Sequence, residues 1–400
     1  MINTERIERI GTALDEACLD GLVVNLPTSV LLLSGYWPVT GTSLAVAARD
    51  GRIMVLLPED EEELADTVWA EVHPFAPGGL GSIATQAEGL REPLFKSIRE
   101  LGLERGRVGY ESPAQSEPVS HTALYTLGAY LPALLGDCAP DATLAMADEV
   151  MVRLRAVQTP FEIDRVRRAC ERAEEAYRMG ESRLESGRME TDAAADFRPP
   201  LIAAGADGIH RAGGFVHVMA GPRSAMATTA FLISRSVEIP LHGFALVQVN
   251  SYIDGAFTDI TRTYWMGEAG DAQRALYEAV FAAREAALAA IRPGARAADV
   301  DRAARDTLAD RGFGDLYTTP TGHGVGFAVN DKDARPRLHP KSPDVLEAGM
   351  VFNVEPGLYK PGEFGLRHCD MVAVTETGHE VLTSFQSRLE DLVVRHDQRA

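Results

Sequence analysis

Apolar positions Ile7, Ile10, Leu14 and Cys18 recur at the spacing of one helical face, which predicts a helix over 4–18. GLVVN (21–25) and RIMVLLP (52–58) are apolar runs of strand length. EDEEELADTVWAEV (59–72) restarts a helical pattern, and RVGYE (107–111) predicts a further strand. Strands alternating with helices up to about residue 150 predict a small α/β domain.

The next segment, RAVQTPFEIDRVRRACERAEEAYRMGESRLESG, reads as one long amphipathic helix. Thr159 is placed to cap it, Pro160 sits at the first helical position and Glu162 in the first turn. A domain boundary is expected just before it, giving an N-terminal domain over 1–155 and a second domain over 156–400. FALVQVNSYIDGAFTDITRTYWM predicts two strands joined at Asp254-Gly255. With that two-residue loop, Ile253 faces Ala256, Asn250 faces Asp259 and Gln248 faces Thr261. Side chains alternate along strands, so Gln248, Asn250, Asp259 and Thr261 share one face. Such a polar face is either solvated or the wall of a site. Helices are expected near 271–291 and 297–312, and strands near 350–355, 370–375 and 380–383. Helix plus strands, twice over, points to duplicated α/β halves.

Composition narrows the partners. The 400 residues carry 39 Lys and Arg against 58 Asp and Glu, a formal charge of -19. A chain this acidic repels nucleic acid and anionic membrane, which leaves a small molecule as the expected partner. The four cysteines are widely separated and form no CxxC pair, which fits a reducing cytoplasm. The charged start, MINTERIERIGTALDEA, lacks the apolar core of a signal peptide, and no apolar run is long enough for a membrane span, so the expected location is cytoplasmic.

Four short stretches carry the chemistry. The first is the hairpin face with Asp259. In the second, GHGVG (322–326), His323 stands between glycines, where backbone or ligand can approach closely. A turn histidine is the plainer reading. The third, VFNVEPG, ends a strand with Glu355 before Pro-Gly, aimed at a cleft or merely exposed. The fourth, GLRHCDM (365–371), puts Arg367 and Cys369 on one face and His368 and Asp370 on the other.

In this order the four stretches resemble the pita-bread family of methionine aminopeptidase, aminopeptidase P, prolidase and creatinase. The resemblance covers about 155–390, and LLLSGYWPVTGTSLAVAARDG (31–51) is similar to the companion domain of the longer members. It implies an α/β (α+β) fold: a creatinase-type α/β domain, then a pita-bread catalytic domain. It also implies a homodimer whose N-terminal domains cover the neighbouring pocket, which makes Trp37 a substrate-binding candidate. The family holds two divalent metals with two Asp, one His and two Glu. Matched residue by residue, Asp259, His323 and Glu355 are retained, but Gln248 stands at the first Asp and Cys369 at the second Glu. Two substrate-site histidines are also replaced: Thr228 lies near one, and Asn330 with Asp331 near the other.

These departures are expected to exclude a dinuclear metal centre. The resemblance then implies a creatinase-like hydrolase, without metal, cleaving a guanidino, amidino or amide C–N bond of a small amino-acid-like metabolite. Asp259, His323 and Glu355 would be catalytic, with His323 as general acid or base. Gln248, Thr228, His217, Arg335, Arg367 and Cys369 are substrate-binding candidates, with His339 beside Arg335. His217 could supply a missing base or be a core histidine. Cys369 is a nucleophile if Arg367 and His368 lower its pKa, and otherwise an inert filler. One alternative is a mononuclear Zn or Fe site of Asp259, His323, Glu355 and Cys369, serving an Xaa-Pro-peptidase-like hydrolase or a lyase. The other is a non-catalytic binding protein.

Overall fold

The computed structural model describes residues 3–40, 42–65, 68–76, 86–112, 130–203, 209, 211–228, 234–327 and 334–395. Contacts divide the chain into two compact units, Met1–Arg155 and Ala156–Ala400. No helix among the described residues is long and apolar enough to cross a membrane.

The first unit is built on a six-stranded mixed sheet. Its strands are β1 (Gly21–Val24), β2 (Leu44–Ala48), β3 (Ile53–Pro58), β4 (Glu71–Phe75), β5 (Arg107–Tyr110) and β6 (Thr143–Met146), in the order β4-β3-β2-β1-β5-β6. β1, β2 and β3 are buried throughout, as their unbroken apolar runs require. The opening helix spans Thr4–Glu16, and Cys18 lies beyond it at a positive φ of 54°. The helix expected over 59–72 does not form: Glu59–Leu64 is a short 3-10 turn, and β4 follows. Glu61 turns inward, where its carboxylate accepts from the Val39 and Thr40 N–H groups and from the Thr40 and Tyr36 hydroxyls. That capture of an acidic side chain breaks the expected helical face.

The second unit begins with the helix Pro160–Glu181. Thr159 N–H donates to Glu162 Oε2 (2.8 Å) while Thr159 Oγ1 accepts from Glu162 N–H (3.4 Å), a reciprocal cap. Next come β7 (Ala212–Ala220), β8 (Phe244–Ile253), β9 (Ala256–Phe257) and β10 (Ile260–Met266). The turn residues Asp254 and Gly255 both have positive φ, 45° and 82°. This turn fixes the expected register: Ile253 opposes Ala256 and Gln248 opposes Thr261. Register assigns the faces. Val247, Val249 and Ile260 join Ala173 and Tyr177 in the core, and the Tyr177 hydroxyl donates to Val247 O (2.9 Å). Gln248, Asn250 and Thr261 turn the other way.

Helices Asp271–Ala290 and Ala297–Asp310 follow, close to their expected bounds. β11 (Gly322–His323) pairs with β12 (Arg337–Leu338). β13 (Val351–Val354), β16 (Asp370–Val374) and β17 (His379–Val381) form one small sheet, and β14 (Gly357–Lys360) with β15 (Phe364–Arg367) a hairpin. β18 (Val393–Val394) lies along β10.

Candidate active site

A pocket of about 500 Å³ opens in the second unit. Gln248, Asp259, His323, Glu355 and Arg367 line it, together with Arg337, His339 and Lys341. Asp259 is set where the chain enters β10, and Gln248 Nε2 donates to its Oδ1 (3.0 Å). His323 arrives on β11. A Cβ at Gly322 would stand 1.9 Å from Asn353 O, so only glycine lets β11 run this close to β13. His323 Nε2 lies 3.6 Å from Asp259 Oδ2 and 3.9 Å from Glu355 Oε1. Glu355 follows β13, its N–H donating to Thr321 O (2.8 Å). Arg367 donates from Nε and Nη2 to Thr261 Oγ1 (3.1 and 2.9 Å), and its Nη1 stands 3.5 Å from Glu355 Oε2.

These groups reset one another's ionisation. Burial works to lower His323, but Asp259 and Glu355 beside it outweigh that and raise it to about 9. Burial also pushes Asp259 up, yet His323, Arg367 and the Gln248 amide hold it below the usual carboxylate value. At Glu355 burial prevails over Arg367 and His323, so its pKa is raised. The wall therefore pairs an ionised Asp259 with a Glu355 held nearer to neutrality.

Several candidates fall elsewhere. Cys369 is fully buried, its Sγ donates to the Asp259 carbonyl (3.1 Å), and burial pushes its thiol well above the usual range. It does not line the pocket, and a thiol raised in this way is held in its weakly nucleophilic protonated form. Arg335 and Arg337 both face Asp344, at 3.7 and 3.4 Å; of the two, Arg337 lines the pocket, and His339 joins it there. Trp37 is buried in the chain. His217 is half-buried and sits directly across from Gln248 on β7, so it shares the pocket-side face without lining the pocket. Thr228 ends the short helical segment Gly221–Thr228, whose Ala227 lines the pocket. The Thr228 side chain, Asn330 and Asp331 lie outside the described residues.

Three site residues escaped the sequence reading: Arg337, Lys341 and Asn353. Arg337 alternates with Arg335, and nothing in the string tells which one faces the pocket. Asn353 is a polar residue inside an apolar strand, two positions before Glu355 and so on its face. That signal was available.

Residues 164–376, more than half of the chain, match metallopeptidase family M24, and residues 6–157 match the creatinase/prolidase N-terminal domain. The chain belongs to metallopeptidase family M24. A probable dipeptidase, PepE, from Mycobacterium tuberculosis is 36% identical over 234 residues, 58% of this chain and 60% of the relative. The chain thus spans less than two thirds of that relative's length. An Xaa-Pro dipeptidase from Pyrococcus furiosus is 26% identical over 96% of this chain and 99% of its own. The crystal structure of the dipeptidase PepE from Mycobacterium ulcerans superposes with a TM-score of 0.74 at 27% identity, covering 98% of each chain.

Membership in a metallopeptidase family overturns the expectation of a metal-free, creatinase-like enzyme. Among the described residues no group of three or more His, Cys, Asp or Glu side chains stands where it could hold a metal ion as the side chains are placed. The donor chemistry still fits one divalent ion. Two carboxylates and an imidazole face one space, 3.6 and 3.9 Å apart through His323 Nε2. Donors on a tetrahedral ion with bonds of about 2.1 Å stand roughly 3.4 Å apart. The set does not fit two ions, because Gln248 is neutral and the Cys369 thiol is buried, donating to the Asp259 carbonyl.

Proposed function

We propose that this protein cleaves the amide C–N bond of a small peptide, using one divalent metal held by Asp259, His323 and Glu355. The observation that carries the reading is the approach of those three side chains within one pocket. The names of the relatives support a dipeptidase-like, Xaa-Pro-type substrate. When bound, such an ion polarises a carbonyl and lowers the pKa of a water.

The chain's own residues do the rest. Glu355, its carboxyl raised by burial, would be one of the three side chains holding that ion. Arg367 holds the other side of that carboxyl in place. Arg337, His339 and Lys341 form a wall of donors in a chain of net charge -19. His339 Nδ1 accepts the Lys341 N–H (3.0 Å), which leaves Nε2 as the donor of the neutral ring. This wall suits the carboxylate of a peptide C-terminus. The small-molecule substrate, a homodimeric state and a reducing cytoplasm belong to the same reading; the four cysteines are free thiols.

The test is a dipeptide panel, Xaa-Pro members included, assayed with Mn²⁺, Co²⁺ or Zn²⁺ by release of free amino acids. Cleavage that disappears with chelator and with His323→Ala is the expected result. No cleavage of any member with any ion would overturn the reading.

A further inference from the structure

Two threonines of β10 grip one arginine of the pocket. Thr261 and Thr263 lie two residues apart and so share a face of the strand. Thr263 holds the backbone of Arg367: its Oγ1 accepts the Arg367 N–H (3.0 Å) and donates to the Arg367 carbonyl (2.8 Å). Thr261 holds the side chain. Its Oγ1 accepts from Arg367 Nε (3.1 Å) and Nη2 (2.9 Å), so one oxygen takes a whole edge of the guanidinium. All three residues are buried.

That grip decides which side of Arg367 meets the pocket. The guanidinium is planar and rigid, so fixing its Nε–Nη2 edge fixes the direction of Nη1. Nη1 donates to the Ala227 carbonyl (3.2 Å) and stands 3.5 Å from Glu355 Oε2. Ala227, Glu355 and Arg367 all line the pocket. Packing alone does not account for the hydroxyl. A valine has nearly the same shape as Thr261, but it would leave two N–H groups of a buried cation without an acceptor.

We infer that Thr261 is a positioning residue, whose hydroxyl turns the Nη1 side of Arg367 toward the pocket, where it meets an oxygen of the bound peptide. The inference rests on the peptide-cleaving reading above and adds to it a residue that does not itself line the pocket.

Two measurements on the full chain decide it. The first is kcat/KM on the dipeptide that the wild type cleaves best, for Thr261→Val, Thr261→Ser, Arg367→Met and the double variant, with circular dichroism to confirm folding. Thr261→Val should lose about 10- to 100-fold, the worth of a hydrogen bond to a charged group. Thr261→Ser keeps the oxygen and should stay within a few-fold of the wild type. In the Arg367→Met background Thr261→Val should cost little more, because the group it positions is gone. Full activity in folded Thr261→Val would overturn the inference, as would the same loss with and without Arg367. The second needs neither activity nor a variant: the ¹H–¹⁵N spectrum of the arginine Nε groups in the wild type. An Arg367 Nε–H bonded to Thr261 gives a resonance protected from solvent exchange, with a through-space contact to the Thr261 side chain. Its absence would contradict the grip. Wild type that cleaves no dipeptide but shows this resonance would sink the peptide-cleaving reading and leave Thr261 as the residue that orients Arg367.

Discussion

One heptapeptide, GLRHCDM, feeds two ionic clusters of opposite character. Arg367 reaches the pocket with Asp259, His323 and Glu355. His368 and Asp370 turn the other way. There Asp370 Oδ1 accepts from Arg262 Nη2 (2.7 Å) and Thr383 Oγ1 (2.8 Å), and Arg284 Nε binds Oδ2. Burial tends to raise Asp370, but Arg262, His368 and Arg284 hold it well below the usual carboxylate range. Burial and the charge of Arg262 lower His368 to about 4, so it stays neutral, packed edge-on against Phe281. The second cluster has more cations than anions and a partner for each Asp370 oxygen. The pocket cluster keeps two carboxylates and a histidine facing open space. A closed cluster holds strands together, whereas an open one has groups left to meet a ligand.

Breaking each cluster should produce a different failure. The largest stability effect is expected for Asp370→Ala, which leaves Arg262 and Arg284 buried without their carboxylate. A loss of about 3–5 kcal/mol is expected in denaturant unfolding. His323→Ala and Asp259→Ala should instead fold, and lose about 100-fold or more in kcat/KM on whichever dipeptide the wild type cleaves. Substitutions with these two outcomes exchanged would reverse the assignment of the clusters.

The clusters should also fail at opposite ends of the pH scale. His323 is raised in the fold, so its contribution is complete below about 6.5, the unfolded value, and is lost as pH rises through about 9. His368 is lowered, so the unfolded chain binds the extra proton, and stability falls as pH drops from 6.5 toward 4. Asp370, held below 3.8, adds a further loss at lower pH. Unfolding midpoints measured from pH 3 to 10 should show His323→Gln flattening the alkaline limb and His368→Gln the acid one. The smallest effect is expected for Cys369→Ala. Its thiol is buried and donates only to a backbone carbonyl, so the change should cost roughly 1 kcal/mol and leave kcat within a few-fold.

The sequence revealed more of the hairpin than of the loops. Asp254-Gly255 dictated the turn, and with it the register that puts Gln248 opposite Thr261. The alternation in GLRHCDM likewise separated Arg367 from His368 and Asp370. The reading failed where long-range capture decided the outcome. Glu61 left its expected helix to bind Thr40 and Tyr36, and Asp344 draws both Arg335 and Arg337, of which Arg337 lines the pocket. Cys369 stood beside the right residues, but its direction depends on the Asp259 carbonyl across the bridge to Thr261, which no spacing encodes.

Metal stoichiometry tests the open cluster most directly. Protein equilibrated with Mn²⁺ or Zn²⁺, freed of excess and analysed by elemental mass spectrometry should carry one ion per chain, and His323→Ala should carry none. Two ions per chain, or none in the folded wild type, would contradict a single-metal site built on Asp259, His323 and Glu355.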